Sequence, residues 1–203
     1  MPESAAVPEL EIRRARAADF AALWPILREV IRAGETYALD PDMARADVRR
    51  YWMEAPRATY VAWLGGRAAG SYYIRTNQPG GGAHVCNCGY MVASWARGRG
   101  IARQMCLHSQ DEARRLGYLA MQFNFVLASN AGALALWRRL GFAEVGRIPG
   151  AFRHPRAGLT DALVMHKWLV DAGQVAARGG AARGSADRAA GGRPDDAAAD
   201  SDR

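Results

Sequence analysis

Val92-Ala93-Ser94-Trp95-Ala96-Arg97-Gly98-Arg99-Gly100-Ile101-Ala102 is the stretch that decides the fold. Residues 84–92 at its leading edge are small and β-prone, so a strand is expected to end at Val92. Beyond it, Ile101, Met105, Leu107, His108 and Leu116 recur at near-helical spacing until Gly117 closes the segment. Strand, tight Arg/Gly turn and helix start thus follow one another directly. A helix start leaves backbone N–H groups without partners, and the helix dipole adds partial positive charge there. Glycine at 98 and 100 lets an anion approach those amides, because no Cβ stands in the way. The expected ligand is a pyrophosphate.

Two other glycine-phosphate patterns are excluded. No Gly-Lys-Ser/Thr follows the turn, which rules out a nucleoside-triphosphate loop, and Gly-x-Gly-x-x-Gly is missing near the chain start, which disfavours a dinucleotide fold. What remains is Arg97-x-x-Gly100-x-Ala102, with the apolar Val92 five positions before the Arg. This resembles the acyl-CoA pyrophosphate loop of the GCN5-related N-acetyltransferase (GNAT) superfamily. A second block agrees. Asn130-Ala131-Gly132-Ala133-Leu134-Ala135-Leu136-Trp137-Arg138-Arg139-Leu140-Gly141-Phe142 resembles that superfamily's Asn, short helix and Leu-Gly-Phe. Here Ala133, Leu136, Trp137 and Leu140 form one apolar helix face, Asn130 is placed to cap the helix, and Gly141 to end it. The resemblance covers about residues 85–145. It implies an α/β GNAT fold, a mixed central sheet with flanking helices that splays between strands 4 and 5.

Around these blocks the pattern predicts a strand over 9–15, then a helix capped by Asp19 that runs to about Arg32 with Pro25 inside it. A loop over 34–41, a short helix over about 42–53, and a hairpin of 58–64 and 68–76 around Gly65-Gly66 come next. A Gly-rich loop over 79–83 leads to the strand before the phosphate turn. A strand at 119–126, the Asn130 helix, and strands near 142–148 and 160–169 complete a domain of residues 1–170. Residues 171–203 hold almost nothing large and apolar, too little to offset ordering entropy, so a disordered tail is expected.

That tail carries five Arg and six Asp, so the chain's net charge of +7 arises in the domain. A basic domain suits a cofactor with several phosphates. The Arg residues are scattered and form no aromatic-basic module, so no nucleic acid is expected as a partner. His84, Cys86 and Cys88 alternate onto one strand face, but structural zinc sites use Cys-x-x-Cys turns and a fourth ligand. Small buried thiols, and no metal, are the expectation. Three cysteines without a recognisable leader point to a reducing cytoplasm, and no apolar run reaches membrane-spanning length, so no membrane partner is expected.

The resemblance further implies transfer of an acetyl group from acetyl-CoA to an amine by direct attack on the thioester. Most of the rate then comes from positioning and from a donor to the carbonyl oxygen. In that reading the Val92 N–H is the donor, and the pyrophosphate lies on the amides of Arg97, Gly98, Arg99, Gly100, Ile101 and Ala102, with charge-assisted bonds from Arg97. The family's Asn, here Asn130, also contacts the pantetheine arm. Many members carry a Tyr seven residues after it, which reprotonates the thiolate; this chain has Trp137, whose indole is no acid. A thiol of pKa ~8.5 leaves more readily than an amine near ~10, so a water suffices. Trp137 is expected either to wall the acetyl or pantetheine channel or to pack in the core. Glu35, in the loop after the first helix, is the candidate base, its alternative being a solvated carboxylate; Thr36 and Tyr37 share that loop and would shape the pocket.

Asn87 and Asn124 fall in the two strands that part, where an Asn needs a partner. Each either satisfies backbone freed by the splay or binds a carboxylate or amide of the substrate. Residues 122–130 resemble the yeast enzymes that acetylate proline analogues such as azetidine-2-carboxylate, in which the corresponding Asn residues hold the substrate carboxylate. His154, in a loop expected over 150–155, is either a base, a substrate contact or an exposed side chain. The expected function is a cytoplasmic acetyl-CoA-dependent N-acetyltransferase of a small-molecule amine, with an amino acid or analogue as the indicated acceptor. Acceptors such as an antibiotic, a polyamine or a protein N-terminus, and a non-catalytic acyl-CoA sensor, are the alternatives. The sequence does not fix oligomeric state, though family members often form homodimers.

Overall fold

The computed structural model describes residues 9–171 and 173–175. The tail expected to be disordered, 171–203, therefore lies almost wholly outside the described residues. Seven strands form one sheet in the order β1-β2-β3-β4-β5-β7-β6. Strands β1 (Leu10–Arg14), β2 (Ala58–Leu64), β3 (Arg67–Thr76) and β4 (Val85–Val92) pair antiparallel in sequence. Strand β5 (Ala120–Leu127) runs parallel to β4, and β7 (Gly158–Trp168) lies between β5 and β6 (Ala143–His154), antiparallel to both.

The β4–β5 ladder is short. Residues 85–87 pair with 120–122, and beyond Asn87 and Gln122 the strands part, as the resemblance implied. On the far side of β5, the ladder with β7 skips Asn124 and Phe125, a bulge that bends β5 away from β4.

Helix α1 (Phe20–Ala33) buries Phe20, Leu23, Ile26, Leu27 and Ile31 at helical spacing and stops at Gly34, whose φ of 61° is left-handed. Asp19 does not cap it. Its carboxylate turns back to accept the Arg16 amide at 2.6 Å and the Arg13 guanidinium at 2.8 and 2.9 Å. Helix α2 (Arg45–Arg49) is shorter than the predicted 42–53, because Asp42 N–H is held in a turn by the Asp40 carboxylate. It widens into a π-turn at Arg50–Glu54 that buries Trp52, whose indole donates to Ser71 Oγ at 2.8 Å. Both helices lie on the sheet face that carries Tyr73. Helix α3 (Ile101–Arg115) covers the other face, where Tyr72 meets His108 at 2.6 Å and Tyr90 meets Ser109 at 2.7 Å. Helix α4 (Ala131–Arg139) follows β5.

One expectation about the last strands is corrected. The sequence predicts a loop over 150–155, yet β6 continues to His154. Between Ile148 and Phe152 it bulges, so that four steps on β6 oppose two on β7. Pro149 and Gly150 (φ 56°) sit in the bulge, and Asp161 pins it by accepting the Gly150 amide at 2.9 Å. Cys86, Cys88 and Cys106 are buried free thiols, whereas His84 is exposed and lies near-parallel to Trp168. Among the described residues no helix is long and apolar enough to cross a membrane.

Candidate active site

A cleft of about 1520 Å³ opens where β4 and β5 part. Its walls come from the loop after α1, the turn before α3, the start of α4 and the β6–β7 turn. Backbone geometry makes the gap polar. Ala93 N–H donates to Ala69 O at 2.8 Å, so residue 93 faces β3. In an antiparallel ladder successive residues turn their N–H and C=O to opposite edges. Val92 and Tyr90 therefore direct theirs into the gap, beyond the end of the β5 ladder. The Tyr90 carbonyl accepts Tyr37 Oη–H there at 2.8 Å.

The turn before α3 meets the same cleft. Gly98 and Gly100 have φ of 76° and 74°, which a side chain would strain, and a Cβ on either would meet no protein atom within 4 Å. Gln104 N–H donates to Gly100 O at 3.1 Å, so the amides of Ile101, Ala102 and Arg103 precede the helical ladder. An open glycine bend before a helix start fits a pyrophosphate. Arg97, Arg103 and Arg139 line the cleft and add positive charge. Arg99 does not line it: its guanidinium lies 5.9 Å from the Trp95 ring centre.

At the start of α4, Asn130 Oδ1 accepts the Ala133 amide at 3.2 Å, a side-chain cap. Trp137 lies on the apolar face of α4. It borders the cleft, yet it is 7% exposed and packs 5.1 Å from the rings of both Tyr90 and Phe123.

The opposite end of the cleft holds the other sequence candidates in defined contacts. Glu35 is no free carboxylate, because Arg156 pairs with it at 2.6 Å across the mouth. His154 Nδ1 accepts the amides of Arg156 and Ala157, each at 3.2 Å, so the lone pair of that nitrogen is committed. Burial pushes the phenols of Tyr37, Tyr73 and Tyr90 up, which keeps them protonated. Asn87 Nδ2 donates to the Gln122 carbonyl at 2.9 Å and so satisfies backbone freed by the parting strands. Asn124 accepts from Gln122 Nε2 at 2.8 Å and donates to Asn77 Oδ1 at 2.7 Å. Thr36 also lines this end, as do Arg75 and Asn77, which no sequence motif marked. Among the described residues no three His, Cys, Asp or Glu side chains group as metal ligands.

Residues 24–142 match the model of the acetyltransferase (GNAT) family. The chain belongs to that family. It is 30% identical over 140 residues to N-acetyltransferase aca1 of Schizosaccharomyces pombe, a match over 61% of this chain and 66% of that protein. It thus spans just under two thirds of that relative. A GCN5-related N-acetyltransferase from Kribbella flavida superposes with a TM-score of 0.75 at 43% identity, covering 78% of this chain and 97% of the other. The fold is also that of yncA from Salmonella typhimurium, a structure with its cofactor acetyl-CoA (TM-score 0.71, 23% identity, 80% of this chain and 95% of that one). The family is one of acetyltransferases.

Proposed function

We propose that this chain acetylates the amine of a small molecule, an amino acid or analogue, in the cytoplasm. One observation carries the reading: the gap-facing Val92 amide and the open glycine bend border one continuous cleft. A ligand anchored by its phosphates at the bend can then reach the parted strands. Acetyl-CoA supplies a thioester there; the amine forms a C–N bond as the C–S bond breaks, sulfur leaves with the electron pair, and the nitrogen gives up a proton.

The protein's part is to hold and polarise. The amides from Arg97 to Ala102, with the guanidiniums of Arg97 and Arg103, grip the phosphates; Arg99 contributes through its backbone alone. Val92 N–H points at the carbonyl oxygen and stabilises the charge that develops on it. Asn130 caps α4 through Oδ1, which leaves Nδ2 for the pantetheine arm, and Trp137 walls the channel. The Glu35–Arg156 pair closes the acceptor end instead of supplying a base, with Thr36 and Tyr37 shaping the wall beside it. With His154 committed and the tyrosines neutral, the amine loses its proton to water. Asn87 and Asn124 order the polar floor on which the acceptor rests.

Release of free thiol with a panel of amino acids, polyamines and aminoglycosides tests the function, with mass spectrometry to find the acetylated product. Turnover is expected with amino acids. Tight acetyl-CoA binding without turnover on any amine would mark a sensor and overturn the enzymatic reading.

A further inference from the structure

We propose that Arg75 seats the carboxylate of the acceptor, so that the second substrate is a small amino acid and not a simple amine; this rests on the acetyl-transfer reading above. Arg75 lies on β3 opposite Asn87 of β4, and directly opposed residues of an antiparallel pair share a sheet face. Its side chain lines the acceptor end of the cleft.

The guanidinium is held but not satisfied. Its carbon stands 4.2 Å from the Tyr73 ring centre and 4.6 Å from that of Tyr51, two rings set edge to face at 87°. One terminal nitrogen donates to Tyr51 O at 3.0 Å. The buried Nε has no hydrogen-bond partner, and among the described residues no carboxylate pairs with Arg75. A permanently charged fork, fixed by two aromatic faces and with donors left over, is built to meet a planar anion edge-on.

The spacing suits an amino acid. Tyr73 crosses β4 at Gly89, where a Cβ would fall 2.7 Å from its Cε1, so the guanidinium lies over that level of the strand. From Gly89 to Val92 is three residues, roughly 10 Å of strand. The carboxylate and amine of an α-amino acid stand only about 3 Å apart, and a contact of about 3 Å at each end, to Arg75 and to the carbonyl carbon beside Val92, makes up most of this length. The carboxylate contact is in addition to the polar floor of Asn87 and Asn124, whose side-chain amides are engaged with neighbouring groups.

The test compares wild type, Arg75→Gln and Arg75→Lys on the best amino-acid acceptor and on its carboxamide. In the wild type the KM of the acid is expected to lie at least about tenfold below that of the amide. Arg75→Gln should raise the KM of the acid roughly 10- to 100-fold while the KM values of the amide and of acetyl-CoA stay level. Arg75→Lys keeps the charge without the fork and should fall between, which also serves if the Gln variant folds poorly. Equal treatment of acid and amide by the wild type, or equal losses for both in Arg75→Gln, overturns the assignment. A second arm needs no turnover: calorimetry of the CoA-loaded protein with N-acetyl-L-amino acids and their carboxamides. A preference for the carboxylates that Arg75→Gln abolishes supports the seat even where no amine is acetylated, and absence of that preference refutes it. Failure of thiol release on every amine, by contrast, refutes acetyl transfer alone.

Discussion

Replacing Gly100 by Ala or Glu separates folding from ligand binding, because the two substitutions are expected to rank oppositely in the two assays. Gly100 holds φ at 74° immediately before α3, and its missing Cβ faces open space. An Ala there suffers about 1–2 kcal/mol of left-handed strain, of which about 0.4–1 returns through the less flexible unfolded chain. The fold should therefore lose roughly 1 kcal/mol. Glu carries the same strain, but an anion at a helix N-terminus regains about 0.3–1 kcal/mol, so Glu should be the less destabilising of the two. Binding of acetyl-CoA runs the other way. The Ala methyl intrudes on the amide bend and should weaken binding about tenfold, near 1.4 kcal/mol. A carboxylate about 5 Å from a phosphate charge adds about 3 kcal/mol at an effective dielectric of about 20, so Glu should bind more than 100-fold more weakly. Urea denaturation of the free protein and calorimetry with acetyl-CoA read the two quantities. Binding that merely tracks stability, or Glu binding like wild type, would refute the phosphate site.

Three other outcomes are expected. Asn124→Ala removes the amide that links Gln122 to Asn77 and should raise the acceptor KM about tenfold with acetyl-CoA unaffected; a level acceptor KM removes Asn124 from substrate binding. With no free base in the cleft, kcat/KM should rise with pH along the acceptor's own ionisation, so an acceptor whose amine pKa is about one unit lower should shift the curve by about as much. An inflection common to all acceptors would instead reveal an enzyme base. The hydrogen bond from Arg13, with that from the Arg16 amide, holds the Asp19 carboxyl below its ordinary range. Its folded pKa being the lower one, the pair stabilises the protein above the ordinary carboxylate pKa and loses that effect as pH falls through the folded value. Asp19→Ala should accordingly cost about 1 kcal/mol at pH 7 and almost nothing near pH 2; an equal cost at both would exclude the ionic contribution.

What the sequence made legible were features whose cause is local. The glycine bend shows because positive φ restricts residue choice, and the Asn130 cap because its acceptor lies three residues on. The parting of β4 and β5 was legible only through the family resemblance. Contacts set by distant chain segments were invisible: Glu35 meets Arg156 from the far end of the chain, and nothing near either residue announces it. Arg75 looked like any arginine in a strand until Tyr51 and Tyr73 closed on it. Asp19 resembles a cap in the sequence because a cap and a backward clasp of Arg13 use the same residue type. The loop expected over 150–155 has the same kind of origin, since a bulge pinned by Asp161 needs the residues that a loop also favours.

That bulge has a second effect. Strand β6 is the last of the sheet, and a long unprotected border is a template on which other chains can polymerise. Pro149 offers no donor to such an intruder, and the distortion around it throws the neighbouring groups out of step. The detour that carries the chain out to His154, at the rim of the cleft, thereby also keeps the molecule from growing sideways into aggregates.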